Sequence, residues 1–293
     1  LQVPADLDLR CWRRAGIGGD MIRADVLRRF ADAFEPAGFD RKAFIPSYGM
    51  AEVCLAITFS PQGVGVRTDS IERAALGELQ RAVPAADPQD MRRSRRFVIC
   101  GRVLPGHLLE VRDAEGKVLG DREVGRIFVA GPSVMPGYFN DPEASHEALT
   151  PDGWLDTGDL GYMLDGEIVL TGRAKDLIIV NGRNVWPQDI EWAIEAHRIV
   201  KIGDSVAFSV EAADGDGERV VVAVLARVSG DEARAALARD VAGAVRETVA
   251  VDCDVVLVAP SVGLPTTSSG KLSRARAKAN YLAGLYAPKP AAA

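Results

Sequence analysis

The sequence predicts a mixed fold, α/β in its first part and α+β in its last, with a β-rich stretch between them. Three observations carry this. An apolar period of helical spacing over 22–35 leads into a short apolar strand. Segments rich in β-formers and bounded by Gly or Asp crowd 97–171. From 173 onward, apolar strands and helical runs alternate in a compact unit of about 110 residues.

Ile22, Val26, Leu27, Phe30 and Phe34 recur at helical spacing in "IRADVLRRFADAFE", so one face is apolar and a helix is expected. "KAFIPSYGM" reads as a short strand entering a turn. Residues 60–96 are rich in Gln, Arg, Asp and Gly with a weak apolar period. They read as an irregular polar insertion with one helix near 70–82, ending in Arg92, Arg93, Arg95 and Arg96, a solvated basic turn. "HLLEVRD", "GRIFVAG" and "GEIVLTG" are strands separated by the turns "DREVG" and "MLDGE", and a small β-barrel or distorted sheet is expected.

A strand over 177–180, a Gly-containing turn and a helix beginning near Pro187 follow, since Pro suits a first helical turn. Ile190, Ala193 and Ile194 are its inward face. "SVAFSV", "RVVVAVLARV", a helix over about 231–248 and "CDVVLVA" complete the last unit, and the Pro/Ala-rich tail "YAPKPAAA" is expected to fray. The domain plan is therefore 1–96, with the insertion at about 60–96, then a β-rich part over 97–172, then an α+β domain over 173–293.

Composition narrows the function. With 47% hydrophobic and 26% charged residues in 293, the chain has the content of a globular protein. A net charge of −6 argues against a general nucleic-acid binder. No apolar run reaches the length of a membrane span, and the start lacks a basic-then-apolar signal. Cys11, Cys54, Cys100 and Cys253 form no CxxC, which fits a reducing cytoplasm, and His107, His146 and His197 lack metal-ligand spacing.

"LPTTSSGKLS" invites a phosphate-loop reading that fails twice. Pro265 stands where the first Gly of G-x-x-x-x-G-K-[ST] belongs, and Leu272 stands where Ser or Thr would hold magnesium. Alone, it is a Ser/Thr/Gly turn with a solvated lysine. Three other stretches change that: "PSYGMAE" at 46–52, "GWLDTGDLGY" at 153–162 and "GRAKDLIIVNGRN" at 172–184. In this order the four resemble the adenylate-forming superfamily of acyl-CoA synthetases, luciferases and nonribosomal-peptide adenylation domains. "GRAKDLIIVNGRNVWPQDIE" and "TSSGKLSRARAKANYLAG", with the extra segment before "VICGRVLPG", are most similar to its fatty acyl-AMP ligases, where such an insertion goes with poor use of free coenzyme A.

The resemblance implies a fold and a chemistry. The fold is the remnant of a large N-terminal α/β domain with a small β-barrel subdomain, then a mobile α+β domain hinged near Lys175. The chemistry is ATP-dependent activation of a medium- or long-chain fatty acid to an acyl-adenylate, then acyl transfer to the phosphopantetheine thiol of an acyl carrier protein, often for polyketide or lipopeptide synthesis. A fatty acyl-CoA synthetase and a non-catalytic pseudo-ligase are the alternatives. Tyr48 would lie against adenine, an aromatic face on a flat heterocycle. Ser47, Gly49, Met50 and Ala51 would line the adenine and α-phosphate region, with Ala51 replacing a threonine common in relatives. Glu52 would hold Mg²⁺, since hard cations prefer carboxylate oxygen. Asp159 would accept from both ribose hydroxyls and Arg173 would reach ribose or phosphate. Gly182 and Arg183 lie on a loop that enters the site in a second orientation, and Lys271 would be delivered for adenylation as a point charge on a flexible stem. Without the motifs, Tyr48 is equally a core tyrosine, Glu52 a helix-start glutamate and Asp159 a turn aspartate. The family's Ser/Thr/Gly phosphate loop has no counterpart here. "AGIGGD" at 15–20 resembles a later strand-turn near the acyl pocket. The chain is thus expected to be roughly the C-terminal half of an enzyme, unable to adenylate alone; steady pyrophosphate release by these 293 residues with ATP and a fatty acid would refute that.

Overall fold

The computed structural model describes residues 4–180, 182–212 and 217–286, and it divides into two compact units, Leu1–Lys175 and Asp176–Ala293.

The first unit opens with β1 (Ala15–Ile17), α1 (Ala24–Phe34) and β2 (Phe44–Tyr48). β1 and β2 run parallel, with Ala15 opposite Phe44, so α1 is the crossover that parallel strands require. Leu27, Phe30, Ala31 and Phe34 of α1 pack on Ala15, Phe39, Ala43 and Phe44, and the Phe30, Phe39 and Phe44 rings meet edge to face. Ile22, placed in this helix by periodicity, precedes it and joins a different apolar cluster. β3 (Thr58–Phe59) pairs antiparallel with β2, and β6 (Arg102–Val103) with β3.

Segment 60–96 is more ordered than its composition suggests. β4 (Thr68–Glu72) pairs antiparallel with β5 (Ser94–Val98), and α2 (Arg73–Leu79) follows β4 directly. Ile71, Leu76 and Phe97 are buried, while the polar residues are fastened elsewhere. Asp69 accepts from the Tyr162 hydroxyl at 2.7 Å and from both terminal nitrogens of Arg122 at 3.0 and 3.3 Å. The basic run is corrected in part. Arg92 and Arg93 are exposed, but Arg95 is only 2% exposed; its guanidinium lies 4.4 Å over the Phe97 ring and donates to the Thr171 carbonyl. Alternation along β5 turns it inward, and the aromatic face makes that tolerable for a cation.

The β-rich part comprises β7 (Leu108–Arg112), β8 (Gly125–Ala130), β9 (Leu155–Leu164) and β10 (Glu167–Arg173), with α3 (Pro142–Ala148) between β8 and β9. All neighbours are antiparallel in the order β7-β8-β9-β10. This is an open, bulged sheet, so the expected barrel is corrected: no pairing joins β7 to β10 among the described residues. The outer edge of β10 is met instead by 99–101, where Cys100 N–H donates to the Ile168 carbonyl at 2.8 Å and Ile168 N–H to that of Gly101 at 2.9 Å.

The second unit starts with the hairpin β11 (Ile178–Val180) and β12 (Arg183–Val185), then α4 (Pro187–Ala196) with Pro187 in its first turn. β13 (Ser205–Glu211) pairs antiparallel with β14 (Glu218–Leu225), and β15 (Asp254–Val258) pairs parallel to β14 after α5 (Asp231–Val249). Strand alternation sends Ala207, Val220, Val222 and Val224 to the face covered by α4 and α5, where Ile190, Ile194, Val241 and Val245 are buried. Val206, Phe208, Val210, Val221 and Ala223 face α6 (Arg274–Leu282). Tyr286, the first residue of the tail expected to fray, is buried in that second cluster, and the rest of the tail lies outside the described residues.

Ile190 has no exposed surface and sits between α4 and the sheet. Ile190→Ala should lower the stability of the second unit by about 2–5 kcal/mol, the usual range for a buried Ile truncated to Ala. Chemical denaturation followed by circular dichroism checks this; a loss below about 1 kcal/mol would mean the site collapses around the cavity.

Candidate functional site

The first unit turns back on itself just after β2, and that turn carries the first group of predicted residues. Gly49 leaves the strand, Met50 is extended, Ala51–Val53 form one 3₁₀ turn, and Cys54 takes φ 66°, ψ −57°. Leu55 N–H donates to the Val53 carbonyl at 2.9 Å, closing a γ-turn of the strained kind that costs about 1–3 kcal/mol. A side chain at Gly49 would place its Cβ 2.1 Å from the Leu55 carbonyl oxygen, so the chain's own return demands glycine here. The sequence reading attributed this glycine to ligand approach; the fold supplies a sufficient reason by itself.

Alternation along β2 sets the fates of its last residues. Tyr48 is buried, and its hydroxyl donates to Asp159 Oδ2 at 2.8 Å. Burial first, and then the Asp159 charge, hold its pKa well above the ordinary tyrosine value, so it remains a donor. The Ser47 hydroxyl is committed to the Ile17 carbonyl at 3.1 Å, Met50 packs against the apolar cluster around Val53 and Ile127, and Ala51 is exposed. Glu52 Oε1 accepts from the Tyr138 hydroxyl at 2.9 Å, and the Glu52 carbonyl accepts from Met135 N–H at 2.8 Å, which ties the turn to segment 133–138.

Asp159 and Arg173 meet because two strands are bulged. Between the pairs Phe128–Asp156 and Arg126–Leu160, β9 carries four residue steps against two on β8, and Gly158 accommodates the excess at φ 71°. On its other side, β10 bulges between Leu170 and Gly172, which brings Arg173 opposite Asp159. Arg173 Nε donates to Asp159 Oδ1 at 3.0 Å. The Asp159 side chain is 13% exposed and that of Arg173 60%, so a shielded carboxylate is served by a cation reaching in from solvent. Burial raises the Asp159 pKa above 3.8; the Arg173 charge and the Arg173 and Tyr48 hydrogen bonds oppose this, and the Glu52 charge adds to it. Tyr138 is likewise raised, by burial first and then by its bond to Glu52.

Tyr48, Glu52, Asp159 and Arg173 therefore stand together in the first unit. A carboxylate offers about four acceptor positions, and two on Asp159 are in use, so it can still accept from a pair of neighbouring hydroxyls. Glu52 presents hard oxygen. Among the described residues no three His, Cys, Asp or Glu side chains cluster for a metal. One carboxylate suits a magnesium ion that keeps water and phosphate oxygens as its other ligands, and does not suit a structural metal.

In the second unit, Lys271 sits on a cross-linked hairpin. Thr267 N–H donates to the Lys271 carbonyl at 2.7 Å, Lys271 N–H to Thr267 Oγ1 at 3.2 Å, and Gly270 N–H to the Thr267 carbonyl at 2.9 Å. These amides are turned inward to close the hairpin, an arrangement unlike a phosphate cradle. Lys175 is exposed on the 3₁₀ turn Ala174–Asp176, directly before the division between the units, and Gly182 and Arg183 lie at the β11–β12 turn. Sequence reasoning missed Tyr138 and Arg274. "PGYFND" carries no signal for Tyr138, whereas the charge of Arg274 at the first position of α6, where an acidic residue suits the helix dipole, was a readable oddity.

The AMP-binding enzyme family pattern matches residues 2–139. A Caulobacter vibrioides protein provisionally named an acyl-CoA synthetase is 51% identical over 95% of this chain and 48% of its own length. JamA of Moorena producens, a medium-chain-fatty-acid–[acyl-carrier-protein] ligase, is 34% identical over 96% of this chain and 49% of its own. A solved structure from studies of the fatty acyl-adenylate ligases of E. coli and L. pneumophila superposes with TM-score 0.85 at 41% identity, over 97% of this chain and 50% of that one. The chain thus resembles AMP-binding, adenylate-forming enzymes over its whole length, and fatty acyl-AMP ligases are among its relatives in sequence and structure. It spans about half the length of the curated relatives it matches.

The raised Asp159 pKa carries a sign. Its contribution to stability is fully present below the unfolded value near 3.8 and is lost as pH rises through the higher folded value. Asp159→Asn should therefore gain thermal stability relative to the unaltered chain as pH increases from 4 to 7. Melting curves across that range check this, and a relative loss would show that the Arg173 bond outweighs burial.

Proposed function

We propose that the protein carrying this chain activates a fatty acid with ATP, forming an acyl-adenylate and pyrophosphate, and then transfers the acyl group to a phosphopantetheine thiol. The observation that carries the reading is the Tyr48–Asp159–Arg173 cluster, assembled from segments more than 100 residues apart in a chain resembling this family.

In the first half-reaction a carboxylate oxygen of the fatty acid attacks the α-phosphorus of ATP and the bond to the bridging oxygen breaks, releasing pyrophosphate. Charge gathers on the phosphate oxygens, so placed cations and positioning supply most of the catalysis. Asp159 accepts from the ribose hydroxyls and fixes the nucleotide. Tyr48 holds that carboxylate in place and offers its ring to adenine. Arg173 neutralises charge at the ribose or phosphates. Ser47, Gly49, Met50 and Ala51 form the wall behind the adenine. Magnesium, when bound, would neutralise phosphate charge, and Glu52 is the side chain suited to hold it. Lys271 supplies a cation to the carboxylate and α-phosphate, carried by a C-terminal domain pivoting near Lys175. In the second half-reaction the thiol sulfur attacks the acyl carbon, a thioester forms and AMP leaves.

JamA, a carrier-protein ligase by name, supports an acyl carrier protein as acceptor. The Caulobacter relative, named for acyl-CoA synthesis, favours the second reading, coenzyme A as acceptor. The retained cluster argues against a pseudo-ligase. No helix among the described residues is long and apolar enough to cross a membrane.

In the full-length protein, Lys271→Ala should slow pyrophosphate release by about 10²–10³-fold, the usual cost of one charge-stabilising group, while ATP affinity stays within a few-fold. Retained rate would remove Lys271 from the reaction. Supplying holo-carrier protein or free coenzyme A after adenylation decides the acceptor: fast acyl-CoA formation would favour the synthetase reading.

A further inference from the structure

One guanidinium in the second unit holds together three segments that are far apart in the sequence. Arg274 is the first residue of α6, three positions after Lys271. Its Nε donates to Glu191 Oε1 at 3.0 Å and its Nη2 to Glu191 Oε2 at 2.6 Å, a bidentate pair with α4. Its Nη1 donates to Asp176 Oδ2 at 2.8 Å, on the turn that opens the second unit. Glu191 Oε1 also accepts from Ala207 N–H of β13 at 3.1 Å. The side chains of Arg274, Asp176 and Glu191 are 18%, 23% and 8% exposed, so the triad is shielded from water and screening. Burial alone would lower the Arg274 pKa, but the charges of Glu191 and Asp176 outweigh it and raise it; Glu191 is pushed up by burial against the pull of Arg274.

From Arg274 the order continues to Lys271. Ser273 N–H donates to the Pro265 carbonyl at 2.9 Å, Thr266 and Leu272 form a β-bridge, and the Thr267–Lys271 bonds close the tip. A continuous path of hydrogen bonds thus joins Asp176, the residue after the division between the units, to the backbone of Lys271.

We propose that Arg274 is a positioning residue: through Asp176 it locks the Lys271 hairpin to the first turn of the second unit, so that lysine and pivot move as one body. This rests on the role given to Lys271 above. Flexible coupling at the pivot would let the lysine tip wander, and a misplacement of about 1 Å in a catalytic group can cost about 10²-fold in rate.

Asp176→Asn tests this while leaving the Arg274–Glu191 pair intact, so the buried cation keeps a partner and the unit keeps its fold. Hydrogen exchange on the purified chain is read at Thr267, Gly270, Lys271 and Ser273, with α5 and β13–β14 as internal controls. The expected result is exchange at least about tenfold faster at the four hairpin amides, with the controls and the melting temperature unchanged and with recovery in Asp176→Glu. Unchanged hairpin exchange overturns the proposal. In the full-length protein the same variant should lower kcat for pyrophosphate release by about 10-fold or more while the KM for ATP holds. A fall in kcat matched by a proportional loss of ATP affinity would also overturn it. Should Lys271→Ala keep its rate while hairpin exchange responds to Asp176→Asn, the catalytic role of Lys271 fails and the mechanical coupling stands.

Discussion

The Asp159 carboxylate is kept mostly out of water, and β2, β9 and β10 of the first unit meet around it. A buried charge is costly unless it is paired and hydrogen-bonded. Here the pairing is incomplete: Tyr48 and Arg173 each give one hydrogen bond, and the Asp159 pKa still rises. Asp159 keeps acceptor capacity while held by a buried tyrosine on one oxygen and an exposed arginine on the other. Two β-bulges create the pairing, since regular strands would not set Arg173 opposite Asp159.

The second unit solves the converse problem. Lys271 is exposed, so burial does not fix it, and its hairpin is ordered from behind. Arg274 lies in a shielded triad whose members reach the start of the unit, α4 and, by one backbone bond, β13. Replacing such a triad with apolar residues is often neutral for stability, whereas leaving its buried cation without any partner is expensive. The two units thus hold shielded charge differently: two hydrogen bonds leave Asp159 with free acceptor positions, whereas three tie Arg274 to two carboxylates.

Much of this was legible in the sequence, and the failures have identifiable causes. Helices α4 and α5 and strands β13 to β15 followed their periodicities because both faces of that sheet are packed by apolar residues. Three of the four motifs carry Tyr48, Glu52, Asp159 and Arg173, but the bulges that bring the last two into register have no sequence signature. Segment 60–96 looked irregular because its polar residues are paired with partners far along the chain, Asp69 with Tyr162 and Arg122, and Arg67 with Glu167. Arg95 looked solvated for the same reason: the Phe97 ring beneath it is visible in the sequence, but the Thr171 carbonyl is not. The expected barrel failed because strand count and turn signals do not say which edge is taken, and 99–101 takes the edge of β10. Tyr138 was invisible, since its one informative property is an atom 2.9 Å from Glu52.

The most direct test of the account pairs a ligand deletion with a residue deletion. In the full-length protein, calorimetry should compare AMP with 2′-deoxy-AMP on the unaltered enzyme and on Asp159→Asn. If Asp159 is the ribose acceptor, losing the hydroxyl should weaken binding to the unaltered enzyme by about 10-fold or more, as expected for a bond to a charged group, and should matter far less in the variant. An equal loss in both proteins would show that Asp159 does not meet the ribose, and the reading of the whole cluster would fall with it.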